Sequence, residues 1–220
     1  MVAGVKRIGP AVLRVRVHLV GSDPEIWRLF EIDADLRLPE VHDALQTVMG
    51  WENSHLHEFL DFDPDLHVNV TPMRPRRWAS AFLREDDDEG FYLAEEDFAL
   101  RAVLTHQVPL FYVYDLGDNW LHRLDLIETL PKAPGEPSVT VIRGERSCPI
   151  EDSGGVDGYD HILQVLADPA DDEHDDLSEW VTSMHNNPGR PFDATRYDTR
   201  SVNQALRREV PTGNTRTQRK

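Results

Sequence analysis

Between residues 11 and 20, Leu13, Val15, Val17 and Leu19 alternate with Val12, Arg14 and Arg16, a period of two that predicts a strand with one apolar and one charged face. Gly21-Ser22-Asp23-Pro24 turns the chain, and residues 26–32 read as the returning strand of a hairpin. Pro39 suits the first turn of a helix that runs to Met49, with Val41, Leu45 and Val48 on one stripe and Gly50 as its stop. Residues 55–62 predict another strand, and residues 66–70 a short one after the turn Asp63-Pro64-Asp65. Residues 72–96 carry Pro, Arg and an acidic run without apolar period, which predicts an exposed, mobile excursion.

Residues 108–114 and 120–128 predict two strands in the middle of the sheet, joined by the turn Asp115-Leu116-Gly117-Asp118-Asn119. A Pro- and Gly-rich connection at 131–137 and a polar loop lead to Asp157, the expected N-cap of a helix with Ile162, Leu163, Val165 and Leu166 that closes at Asp168-Pro169. Helices over 173–184 and 199–208 follow, the last with Val202, Ala205 and Leu206 inward. The pattern predicts an α+β fold: an antiparallel sheet built from hairpins, packed by one helix from the N-terminal half and by the C-terminal helices. The expected organisation is a flexible segment over 1–10, a single domain over 11–209 and a disordered basic tail over 210–220.

Charge narrows the function. Lys plus Arg number 23 against 40 Asp plus Glu, a net charge of -17, so the mean field repels phosphate backbones and disfavours extensive non-specific DNA binding. A local exception is Arg74, Arg76, Arg77 and Trp78, where guanidinium groups and an indole suit phosphate, base or partner contact; a solvated basic loop is the alternative. No run approaches the roughly 20 apolar residues of a bilayer span, and the N-terminus lacks a signal-peptide pattern, so a cytoplasmic setting with no membrane partner is expected. The single Cys148 excludes an internal disulfide.

Four segments concentrate residues that carry chemistry. In residues 50–59, His55 and His57 would share one face of a strand and reach one metal ion, unless they are a pair of half-exposed surface histidines. In residues 112–122, Asp115 and Asp118 sit on a tight turn, and His122 follows on a face with Trp120, Leu124 and Leu126, where a buried imidazole must be hydrogen-bonded or ligated. In residues 144–159, glycines let the backbone approach a ligand, while Glu151 and Asp152 bind a cation or move a proton. Cys148 beside them is a thiolate ligand, a nucleophile or a small buried hydrophobe. Residues 21–28 read as a hairpin turn with Trp27 as a packing anchor and Arg28 paired to a carboxylate.

Asp61, Asp63 and Asp65 mimic the start of a calcium loop, but Leu66 and Pro72 occupy positions that need Gly and Glu. Phosphate-binding, dinucleotide, C-x-x-C and serine-elbow motifs are absent.

The ordered strings GSDPEIWR, MGWENSHLHEF, YVYDLGDNWLHRL and GERSCPIEDSGGVDGY, followed by SVNQALRR, resemble the plasmid pRi open-reading-frame-three-like family over about residues 12–208. The resemblance implies an α+β domain and no particular reaction. Some members carry a resolvase-type label as passengers of mobile insertion elements. A serine resolvase, however, needs an N-terminal serine among arginines and a basic helix-turn-helix, neither of which this acidic chain has. Ser153 stands where many relatives carry a second Cys, a departure that weakens a thiolate-metal or disulfide reading.

The leading expectation is a polar cleft in which His55, His57, Asp115, Asp118, His122 and Cys148 hold Zn²⁺ or another divalent metal. Glu151 or Asp152 then accepts a proton from water in hydrolysis of a small-molecule substrate. The competing expectations are a module for a protein partner, with these residues in an internal hydrogen-bond network, and a nucleic-acid accessory protein reading phosphate through Arg74, Arg76 and Arg77.

Overall fold

The opening alternation becomes β1 (Ala11–Leu19), with Leu13, Val15, Val17 and Leu19 buried and Arg14, Arg16 and His18 half-buried on the opposite face. β1 pairs antiparallel with β2 (Trp27–Asp33), and Arg14 reaches Glu31 at 2.7 Å and Glu128 at 2.6 Å, so cross-strand ion pairs lace the charged face. The computed structural model describes residues 9–66, 75–85, 87–184 and 191–209.

Helix α1 (Leu38–Met49) starts where the Glu40 carboxylate accepts the Arg37 backbone N–H at 2.8 Å, and ends at Gly50, whose φ of 108° only glycine adopts freely. The chain continues through β3 (His57–Leu60), β4 (Arg77–Ala79), α2 (Ala81–Glu85), β5 (Tyr92–Ala94), a 3₁₀ turn (Glu95–Asp97) and α3 (Leu100–Val103). β6 (Leu110–Tyr114), β7 (Trp120–Pro131), β8 (Val139–Glu145), α4 (Gly155–Ala167), α5 (His174–Met184) and α6 (Thr199–Glu209) complete it.

The eight strands form one sheet in the order β5-β4-β3-β6-β7-β1-β2-β8, antiparallel throughout except for β4 with β5. The expected α+β class is the one observed, with β6 and β7 at mid-sheet. Val41, Leu45 and Val48 of α1 join the main core with residues from Ala11 to Leu206.

Several expectations change. Residues 72–96 are more than an exposed excursion: β4 pairs with β3, Trp78 and Ala79 are fully buried, and β5 extends the sheet. One large indole supplies core volume that a periodicity test over a three-residue strand does not register. Residues 137–157 contain β8, where Val139 and Val141 are buried. Helix α4 begins after Gly154 (φ 82°), which places Asp157 within the first turn, next to the positive end of the helix dipole, instead of at the cap. The short strand expected over 66–70, Arg74, the segment before Gly9 and the tail from 210 lie outside the described residues, apart from Leu66 itself.

Arg28 pairs with carbonyls, not a carboxylate. Its guanidinium is fully buried, donates to the Val48, Met49, Trp27 and Glu145 carbonyl oxygens, and lies 3.7 Å from the Tyr197 ring centre. The last carbonyls of α1 are acceptors without helical partners at the negative end of the dipole, so a cation there replaces a cap. A Cβ at Gly144 would come within 2.5 Å of Arg28 Cδ, which explains the glycine. The outer edge of β8 is closed by Asn203 of α6, whose amide accepts from Val141 N–H at 2.8 Å and donates to Val141 O at 2.9 Å, as a neighbouring strand would.

Candidate active site

The loop between α1 and β3 is tied down residue by residue. Trp51 Nε1–H donates to His122 Nε2 at 3.2 Å, and Glu52 N–H to Glu151 Oε1 at 2.8 Å. Asn53, with a φ of 55°, donates its N–H to Gln46 Oε1 at 2.8 Å, and Ser54 N–H donates to the Tyr114 hydroxyl at 2.9 Å. His55 then meets three carboxylates: Nδ1 lies 3.6 Å from Asp115 Oδ2, and Nε2 lies 3.6 Å from Glu151 Oε2 and 3.3 Å from Asp152 Oδ1.

Two of the three carboxylates are held with one oxygen toward the histidine. Asp115 directly follows β6 in the left-handed region (φ 56°), and its Oδ1 accepts the Gly117 and Asp118 N–H groups, leaving Oδ2 for His55. Glu151 Oε1 accepts from Glu52 N–H and, at 3.0 Å, from the Tyr114 hydroxyl. Its Oε2 is buried and has no hydrogen-bond partner among the described residues. Burial pushes the Glu151 carboxyl pKa up, against the lowering effect of those two donors and of His55. Asp152, also left-handed at φ 59°, is the exposed member.

Ligand atoms of His55, Asp115 and Asp152 lie within 4.8 Å of one another. Beside them opens a cavity of about 390 Å³, lined by Asn53, Ser54, His55, Leu56, Asp115, Leu116 and Gly117.

The other expected site residues go elsewhere. His57 does not share a site with His55: its Nε2 lies 3.0 Å from Glu95 Oε2, and its ring stacks on His42 with centres 3.6 Å apart. The alternation argument failed because β3 begins only at His57, and His55 sits on a bend before it. His122 is fully buried with both nitrogens engaged, Nδ1–H donating to Tyr112 O at 3.2 Å and Nε2 accepting from Trp51. Burial lowers its pKa to about 4.

Asp118 Oδ2 accepts the Gly154 N–H at 2.9 Å, which docks the β6–β7 turn on the start of α4. Cys148 packs in the main core, and burial pushes its thiol pKa up. Arg76 and Arg77 are paired with Asp61 at 2.7 Å and Glu58 at 3.2 Å, and Trp78 is inside the sheet's core.

Sequence reasoning passed over His42, Gln46, Asn53, Tyr112, Tyr114 and Glu95. A trace was present in α1, where His42 and Gln46 stand four apart on its inward side. Burial and the adjacent His57 lower the His42 pKa to about 4.

An α+β fold built on a mostly antiparallel eight-stranded sheet, with a histidine–carboxylate cluster on the loops at one end of its central strands, defines the class. The chain belongs to the Plasmid pRiA4b ORF-3-like protein family, whose model matches residues 11–201 and so contains all four chemistry-bearing segments. It is 33% identical over 174 residues to the uncharacterized protein y4hQ of Sinorhizobium fredii, covering 79% of this chain and 82% of the relative. Its fold is similar to the crystal structure of MM3350, a protein of unknown function from Methanosarcina mazei Go1, with a TM-score of 0.72, 30% identity and coverage of 88% of this chain and 97% of that one. Among the described residues, no helix is long and apolar enough to cross a membrane.

Proposed function

We propose that His55, Asp115 and Asp152 bind a divalent cation, with Zn²⁺ as the favoured ion, and that the cleft supports metal-assisted hydrolysis with Glu151 as the proton acceptor. The observation that carries this reading is Glu151 Oε2: a buried carboxylate oxygen without a hydrogen-bond partner among the described residues, 3.6 Å from His55 Nε2. Leaving such an oxygen unmet is costly, and a cation or its bound water meets the need. One imidazole and two carboxylates suit zinc, and three protein ligands leave a position open for water. A bound cation would lower the pKa of that water. Glu151, with Oε1 tethered by Glu52 and Tyr114, presents Oε2 to receive the proton.

A second reading, an interaction module, is favoured by the saturation of His122 and His42, whose ring nitrogens all have partners. The ion pairs of Arg76 and Arg77 weigh against phosphate recognition by that loop.

The test is elemental mass spectrometry of protein purified without an affinity tag, wild type against His55→Ala. Near-stoichiometric zinc that disappears in the variant supports the cation cleft. A folded wild type that neither carries zinc nor takes it up leaves the interaction module as the better account.

A further inference from the structure

Beneath the His55 loop, four side chains close a ring. His42 Nε2 lies 2.8 Å from Asn53 Oδ1, which only accepts, so Nε2 carries the proton and Nδ1 is left as an acceptor. The Tyr112 hydroxyl donates to that Nδ1 at 2.8 Å, and itself accepts the Gln46 side-chain amide N–H at 2.8 Å. Gln46 Oε1 accepts the Asn53 backbone N–H at 2.8 Å, which returns the ring to its start. Each of the four residues donates once and accepts once in the same sense, an arrangement in which every bond polarises the next.

The ring grips the loop at Asn53, a left-handed residue at φ 55°, a conformation that Asn adopts more readily than most side chains and that the ring holds through its N–H and Oδ1. Helix α1 and strand β6 are already joined through the main core by Val41, Leu45 and Val48 on one side and Leu110, Tyr112 and Tyr114 on the other. The ring's own contribution therefore falls on the loop. From Asn53 the chain reaches His55 in two residues, with Ser54 pinned by Tyr114 between them.

We infer that His42, Gln46, Asn53 and Tyr112 are positioning residues for the cleft: their ring locks Asn53 left-handed and so aims His55 at Asp115 and Asp152. The inference rests on the cation reading for its function, although the ring's hold on the loop stands independently. Groups hydrogen-bonded directly to a metal ligand typically change metal affinity by about 10- to 100-fold when removed, and the ring, which acts through the chain from Asn53 to His55, belongs at the lower end of that range.

The test uses the full chain as wild type, Tyr112→Phe, Asn53→Ala and His55→Ala. Tyr112→Phe opens the ring without removing ring volume, and Asn53→Ala opens it without altering α1 or β6. Two quantities are read: Zn²⁺ affinity by competition with a chelating dye, and hydrogen exchange of the Ser54 amide, which is outside the ring. Both ring variants are expected to weaken zinc about tenfold and to speed Ser54 exchange, with exchange in the central strands unchanged. Zinc lost in His55→Ala but unaltered in both ring variants overturns the positioning role and leaves the cation reading standing. Unaltered Ser54 exchange in both variants overturns it whatever zinc does. If wild type binds no zinc, the cation reading fails, and faster Ser54 exchange in both variants still supports the ring's control of the loop.

Discussion

His122 and His55 look alike in sequence, each an imidazole a few residues after a Trp and an acidic residue, yet they occupy opposite kinds of environment. His122 is fully buried with both nitrogens in hydrogen bonds. His55 is half-buried among three carboxylates at distances of 3.3 to 3.6 Å, beside a cavity and an unmet carboxylate oxygen. A saturated imidazole contributes to stability and has nothing left for a ligand, whereas an incompletely satisfied cluster has valence to offer. The contrast divides the molecule's polar residues into a scaffold and a candidate site.

Acidification is expected to have the largest effect on the scaffold. His122 and His42 are held near a pKa of about 4, against 6.5 for the unperturbed group. Between those values the unfolded chain binds more protons, so folding stability falls as the pH drops below about 6.5 and the loss levels off near 4. Each histidine contributes up to about 3 kcal/mol, at about 1.4 kcal/mol per unit. Denaturant titrations at stepped pH should give a shallower slope in His42→Gln than in wild type, by up to one proton. Equal slopes would mean that His42 does not hold out against protonation.

His122→Ala should come next, with a loss of about 3 kcal/mol at pH 7, because it leaves a cavity and strips Trp51 Nε1–H and Tyr112 O of a partner. His55→Ala, by contrast, should change stability by under about 1 kcal/mol in zinc-free protein. Comparable losses from the two would erase the distinction between scaffold and site.

A change of opposite sign, and comparable in size to that of His55→Ala, is expected from Glu151→Gln. Replacing a desolvated carboxylate by an amide of the same shape keeps an oxygen for the Glu52 and Tyr114 donors, and should stabilise zinc-free protein by about 1 kcal/mol. A destabilised variant in chemical denaturation would show that Glu151 is part of the scaffold after all.

The chain itself shows which residues are candidates far better than how they meet. Asp115, Glu151 and Asp152 stood out by their turn and loop settings, and His55 by its neighbours. The grouping of His55 with His57 did not survive, because it assumed that a strand had begun two residues too early. Asn53 was overlooked because its part depends on a left-handed φ and on His42 and Gln46 arriving from another element.

Local pattern was enough for the hairpin of β1 and β2, the course of α1 and the central pair β6 and β7, since their apolar periods and turn residues act over a few neighbours. It was not enough for β4, β5 and β8, which are short or interrupted and take their place from the strands beside them. Nor did it reveal which histidines were satisfied. That depends on hydrogen bonds between residues up to 71 positions apart in the chain, as from Trp51 to His122, and these exist only once the sheet has brought its loops to one end.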